Sequence, residues 1–163
     1  MKPTPTKEFH DLVCTFETAV LVSGGGEHVH SRPMAIAQVE ENCDLWFIAR
    51  EAPEKVQEIR SDEFVNVICQ DGWKRCIVIS GRASIVRDRA KVDEIWKKSY
   101  RIWFPAGPDD PSIVLIRVAG ARGEYWDSSG IKGLVYAYEA VKALATGKTP
   151  VEKQELHGIV RLN

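Results

Sequence analysis

Neither sign of charge dominates this sequence, in which 22 Lys and Arg residues stand against 23 Asp and Glu. No basic stripe is present of the kind that neutralises a nucleic-acid backbone, so nucleic acid is not expected as a partner. Long apolar runs are missing too, and no stretch reaches the length that crosses a bilayer as a helix. The first residues, Met1-Lys2-Pro3-Thr4-Pro5-Thr6-Lys7-Glu8, lack the apolar region of a signal peptide, and no Asn-x-Ser/Thr acceptor occurs anywhere. Cys14, Cys43, Cys69 and Cys76 sit at irregular spacings without a Cys-x-x-Cys pair, which excludes a recognisable zinc or redox motif. They read as buried free thiols. Together these absences predict a cytoplasmic protein in a reducing compartment, with no membrane partner.

What is present fits one domain over residues 1–163, because a chain of this length buries roughly two-thirds of its unfolded surface. Phe9, Leu12, Val13 and Phe16 recur at helical spacing and predict a first helix over residues 7–17. Residues 18–23 and 28–39 predict a hairpin around Gly24-Gly25-Gly26, and Leu45-Trp46-Phe47-Ile48-Ala49 predicts a buried strand. Pro53 suits the first turn of a helix over 53–60. Strands over 64–70 and 75–86 flank the Asp71-Gly72 turn signal, and Asp88 caps a helix running to about residue 98. Residues 113–118 and 123–126 predict a final hairpin, followed by a helix near 134–145 and a short strand near 158–162. Hairpin-linked strands with few helices predict an α+β fold: an antiparallel sheet closed into a β-barrel, with peripheral helices.

Several short motifs lose to their plainer readings. Gly147-Lys148-Thr149 lacks the preceding glycine and strand of a phosphate loop, and Gly24-Gly25-Gly26 lacks the third glycine and helix of a dinucleotide fold. His28 and His30 share a strand face, but no third ligand is tied to them, so no metal site is expected. No Gly-x-Ser-x-Gly elbow marks a hydrolase.

Three segments carry more when combined. Ser31-Arg32-Pro33-Met34 places an arginine beside a proline, as on a strand edge. Lys55 lies in the first helical turn, where free N–H groups favour an anion. Glu124-Tyr125-Trp126 ends a strand with a large flat ring. An arginine, an anion-binding helix start and an exposed aromatic suit a phosphorylated planar cofactor, although each alone reads equally well as ordinary surface or core.

These segments, with Asp44-Leu45-Trp46-Phe47, Lys55-Val56-Gln57-Glu58-Ile59-Arg60, Val65-Asn66-Val67, Ser80-Gly81-Arg82-Ala83, Trp103-Phe104-Pro105 and Gly107-Pro108-Asp109-Asp110-Pro111, resemble the general stress protein 26 family over about residues 7–128. That family belongs to the pyridoxamine-phosphate-oxidase-like split barrels. The resemblance implies a six-stranded split barrel, a homodimer, and FMN in a groove at the subunit interface. By similarity, Ser31, Arg32, Pro33 and Met34 contact the flavin and its phosphate, Ile48 and Ala49 pass along its tail, and Lys55 binds phosphate. Cys76 falls where the oxidases have a glutamine reaching the flavin from the partner subunit, and Trp126 where they have a tryptophan against the cofactor.

Three departures separate the chain from the true oxidases. Glu54 replaces an arginine before the phosphate lysine, Ala37 replaces a substrate lysine, and Asp127-Ser128-Ser129-Gly130-Ile131 replaces an arginine-rich substrate segment. Pyridoxamine phosphate oxidation is therefore not expected. The resemblance instead implies an FMN-dependent oxidoreductase with a nicotinamide donor. The alternatives are a non-catalytic flavin-binding module of the stress response, or a barrel that has exchanged FMN for haem or a deazaflavin. No residue stands out as a general acid or base.

Overall fold

The computed structural model describes residues 4–24, 28–129, 138, 141–144, 146–147 and 156–162, without the side chains of residues 53–56. Its described strands form one antiparallel sheet curled into a half-barrel: β1 (Thr18–Ser23), β2 (His30–Ala35), β3 (Gln38–Val39), β4 (Leu45–Arg50), β5 (Phe64–Asp71), β6 (Arg75–Val86), β7 (Ile113–Asp127) and β8 (His157–Arg161). The order is β2-β1-β5-β6-β7-β4-β3, with β8 added on the free side of the second half of β7. The split-barrel expectation holds, with eight strands where six were expected. The short β3 and the tail strand β8 account for the difference.

Inside the curl, Leu21, Leu45, Phe47, Val67, Ile77, Ile79 and Val118 are fully buried in one core. Their alternation with open positions is the period of a strand with one face on the core. The run Leu45 to Ala49 does not alternate, because β4 is covered on both sides. On its outer side Trp46 joins Val92, Ile95, Tyr100, Phe104, Ile113 and Leu115 in a second cluster. That cluster lies beneath α3 (Arg89–Ile95) and a 3-10 turn at Lys98–Ile102. The chain's own helix and 3-10 turn thus cover the outward residues of this run.

The expected final hairpin is a correction of another kind. Residues 113–127 form one continuous strand, because neither glycine near its middle makes a turn. Gly123 is there for space: a Cβ on it would stand 2.3 Å from the ring of Phe9. Gly81, across the sheet, similarly allows the Ala119 carbonyl to approach to 2.2 Å of where its Cβ would be, at the bulge between Ser80 and Gly81.

The helices hold with shifted ends. The first, α1 (Pro5–Val13), starts earlier than expected, since the Thr4 hydroxyl accepts from Lys7 N at 3.3 Å and Pro5 follows it. Phe16 lies beyond its end yet still packs on the core. The second, α2 (Pro53–Ser61), matches closely. In α3 the Asp88 carboxylate caps Lys91 N at 3.1 Å as expected, but the helix stops at Ile95. The helix expected near 134–145 falls largely outside the described residues. Of the four cysteines, Cys43 and Cys69 are buried, Cys76 is half-buried, and Cys14 is exposed, against the expectation for it. Among the described residues no helix is long and apolar enough to cross a membrane, and no group of three or more His, Cys, Asp or Glu is placed to hold a metal.

Candidate functional site

β2 ends the sheet on one side and β4 lies next to the other end, and the two come close without hydrogen bonding to each other. This is the split in the barrel. A cleft of about 520 Å³ lies there, within the size range of small-molecule sites. One wall is Arg32, Pro33, Met34 and Ala35 of β2, with Thr18 of β1 behind, and the opposite wall is Ile48, Ala49 and Arg50 of β4. Tyr100, Trp103 and Phe104, from the 3-10 turn and the residues just after it, close one side with aromatic rings.

Pro33 occupies an edge strand, where its missing N–H breaks no ladder. Beside it, Arg32 points into a polar knot. Its Nη2 donates to Ser23 Oγ at 2.5 Å and to Glu58 Oε1 at 3.1 Å, while the Ser23 hydroxyl donates to the same Glu58 oxygen. Burial pushes the Glu58 carboxyl up, but the bond from Ser23 and the charge and bond of Arg32 outweigh it, leaving the group below its ordinary value. Arg32 is thus already neutralised by a carboxylate, and its Nε is buried with no hydrogen-bond partner.

Arg50 is held differently. Its Nη2 donates to the Trp103 carbonyl at 2.7 Å and its Nη1 to Ser112 Oγ at 3.1 Å, and the guanidinium carbon lies 5.3 Å from the centre of the Phe104 ring. The Ser112 hydroxyl in turn donates to Asp110 Oδ1 at 2.6 Å, as does Ser112 N at 2.9 Å. Those two bonds hold the Asp110 carboxyl below its ordinary value. The loop Gly107-Pro108-Asp109-Asp110-Pro111 therefore serves to fix the Arg50 wall.

Of the residues assigned from sequence, Arg32, Pro33, Met34, Ile48 and Ala49 meet in this cleft, whereas Ser31 does not line it. The Lys55 backbone lies in the first turn of α2, and its side chain is outside the described residues. Cys76 and Trp126 face each other across β6 and β7, away from the cleft. Trp126 is half-exposed and carries His157 of β8 stacked on its ring, with centres 4.8 Å apart and planes 17° from parallel. His157 Nε2 donates to Glu124 Oε1 at 2.9 Å. Ala37 is buried in the cluster under α3 and adds no cation to the cleft. Burial pushes the Cys43 thiol up to about 11 and the Cys69 thiol up to about 12, and raises Cys14 and Cys76 as well, so none of the four is a ready nucleophile at neutral pH.

Sequence reasoning missed Thr18, Ala35, Arg50, Tyr100, Trp103 and Phe104 as lining residues. Arg50 was within reach, since strand alternation places it on the same face as Ile48. The aromatic side was not, because nothing local to residues 100–104 says that the chain folds back over β4.

A family model described as pyridoxamine 5'-phosphate oxidase like matches residues 4–151. Protein bli-3 of Neurospora crassa is 31% identical over 132 residues, and the chain spans 61% of that relative's length while 72% of the chain is matched. A solved structure from Jannaschia sp. CCS1 that carries the general stress protein 26 name has a TM-score of 0.70 at 24% identity, covering 96% of each chain. The general stress FMN/FAD binding protein from Xanthomonas citri has a TM-score of 0.65 at 23% identity, covering 77% of this chain and 89% of its own. Both likenesses show the same fold, and the family match shows more: this chain belongs to the pyridoxamine 5'-phosphate oxidase like family.

Proposed function

We propose that this chain is an FMN-binding protein that works as a homodimer, with the flavin lying in the split of the barrel. The observation that carries the reading is the convergence of Arg32, Pro33, Met34, Ile48 and Ala49 on one cleft. Those positions come from two segments of the sequence, 32–34 and 48–49, that the family resemblance links to the cofactor. The cleft suits the group: its walls are mostly apolar, and the buried, unpartnered Nε of Arg32 is a donor in need of an acceptor. The Ala52 cap of α2 makes no side-chain hydrogen bond, so the helix start two residues beyond Arg50 keeps its free N–H groups for a phosphate. The name of the Xanthomonas citri neighbour supports a flavin over haem.

The dimer rests on the outer face of the sheet. Residues opposed across antiparallel strands share a face, and the register places Val20, Ile68, Val78, Glu124 and Ile159 in one row. Val20 and Ile159 are 37% and 55% exposed in the single chain. The next row on that face contains Cys76, Trp126 and His157. A second copy seated there covers the apolar row and brings Cys76 and Trp126 to its partner's cleft. Bound FMN would supply electron transfer, taking a hydride from a nicotinamide donor and passing electrons on. Arg32 and Lys55 hold its phosphate and the cleft walls exclude water from its ring.

Calorimetry with FMN and riboflavin tests the reading. FMN should bind more tightly, and Lys55→Ala or Arg32→Ala should weaken it by about tenfold to a hundredfold. Equal affinity for the two flavins refutes the phosphate site. NADPH consumption under air by the loaded protein separates an oxidoreductase from a flavin-binding module. Pyridoxamine phosphate should yield no peroxide at enzymatic rates, since Ala37 stands where the oxidases have their substrate lysine and residues 127–131 lack their arginines.

A further inference from the structure

The two arginines of the cleft are not equivalent. Arg32 is paired with Glu58, whereas Arg50 has no carboxylate within 4 Å among the described residues. Asp110 is reached only through the Ser112 hydroxyl. Arg50 uses one N–H on the Trp103 carbonyl and one on Ser112, and a guanidinium has five donors in a rigid fork. Three donors therefore remain for a ligand, on a group already fixed by two hydrogen bonds and by the Phe104 ring below it.

A second polar group stands on the same side of the cleft. Tyr100 is 4% exposed, packed edge-on against Trp96 at 5.7 Å, and its hydroxyl is buried without a hydrogen-bond partner. An orphaned hydroxyl of this kind costs stability unless something completes it. Between Arg50 and Tyr100 lies Trp103, 56% exposed, an open flat ring with its own backbone carbonyl tied to Arg50. A cation with no carboxylate bonded directly to it, an unfilled donor and an exposed aromatic face lie together on the wall of the cleft opposite Arg32.

We propose that Arg50, Tyr100 and Trp103 form a subsite for a small planar anion, a conjugated or aromatic ring bearing a carboxylate. The ring stacks on Trp103, the carboxylate takes the free N–H groups of Arg50, and an oxygen of the ligand accepts from the Tyr100 hydroxyl. This names the substrate class of the proposed flavin site and rests on that reading for its role, but the subsite itself needs no flavin.

The probe is 2-naphthoate, with neutral 2-naphthamide as control, titrated calorimetrically into the purified chain with and without FMN. The acid should bind and the amide should bind at least tenfold more weakly. Arg50→Gln should weaken the acid by about tenfold to a hundredfold, and Tyr100→Phe by several-fold, while Tyr100→Phe leaves the preference for FMN over riboflavin unchanged. Arg50→Lys keeps the charge but not the fork; it guards against a simple loss of folding and should fall between wild type and Arg50→Gln. Equal binding of acid and amide, or an Arg50→Gln variant that melts normally and binds the acid as well as wild type, overturns the subsite. Loss of the FMN preference in Arg50→Gln, without acid binding by the wild type, also overturns it and assigns Arg50 to the flavin phosphate. Acid binding by a wild type that takes up no flavin upholds the subsite and removes the flavin reading instead.

Discussion

From Ile113 to Val118 β7 is buried on both faces apart from Arg117, whereas from Gly120 to Trp126 its outward residues Arg122, Glu124 and Trp126 remain open or half-open. The strand is continuous and its inner face packs on the same core throughout. Only the second layer differs. Over the first half it comes from α3 and the 3-10 turn, and over the second half the described residues supply only β8 at the edge. One half of the strand thus carries two apolar layers, and the other half, among the described residues, carries one. The cleft belongs to the first half, and Cys76 with Trp126 to the second.

Truncating an apolar side chain should cost far more under α3 than on the open face of the sheet. Leu115→Ala removes a fully buried side chain under α3 and should destabilise by about 2–5 kcal/mol. Val78→Ala, on the open face, should cost under about 1 kcal/mol in the monomer. Denaturant midpoints measured at low protein concentration decide it, and equal losses would mean that the outer face is covered within one chain. A somewhat smaller effect is expected at Gly123. Gly123→Ala drives a methyl group into Phe9 and should cost about 1–3 kcal/mol, most of it recovered when Phe9 is also shortened to Leu.

The open face itself is tested by charge. Ile77 and Ile79 are fully buried in the core, so the apolar residue of β6 between them on the open face is Val78. Val78→Asp or Ile159→Asp should leave the monomer folded, dissociate the dimer and weaken FMN by about tenfold, or roughly 1.4 kcal/mol, through linkage alone. Sedimentation across dilution, with and without FMN, measures both sides of that linkage. A monomer that binds FMN as tightly as the dimer does would place the whole site in one chain.

The strands were legible from sequence because alternation and turn residues are local properties, and β1, β5 and β6 appear within one residue of where alternation places them. The hairpin at the end was misread for a physical reason. Gly120 and Gly123 look like turn residues, but their bare Cα atoms admit Phe9, Cys43 and Leu162 from distant parts of the chain. The β2 and β4 walls of the cleft were legible as segments through the family resemblance. The third side was not, since Tyr100 and Phe104 reach the cleft by packing in one cluster with Trp46, Ile113 and Leu115, a contact that no local pattern encodes. His157 escaped notice likewise, because only strand pairing brings it onto Trp126.

The smallest expected effect concerns the two arginines, and pH reads it. Glu58 titrates below its ordinary value of 4.5 in the folded chain, since Ser23 and Arg32 together outweigh the effect of burial. The unfolded chain therefore holds a proton on Glu58 more firmly than the folded chain does. The stability contributed by this group is present above the unfolded value and is lost as pH falls through the lower, folded one. Glu58→Gln should remove that contribution, at a cost at neutral pH of no more than about 1 kcal/mol for a pair still in reach of solvent. It should also flatten the decline in stability on acidification below pH 4.5. Arg50→Gln should flatten the acid decline less, because Arg50 lowers the Asp110 carboxyl through charge alone, behind the two bonds from Ser112. Urea denaturation of the three proteins at steps of pH is the measurement. An acid slope equal in wild type and Glu58→Gln would mean that Arg32 is not neutralised in solution, and the distinction between the two walls of the cleft would go with it.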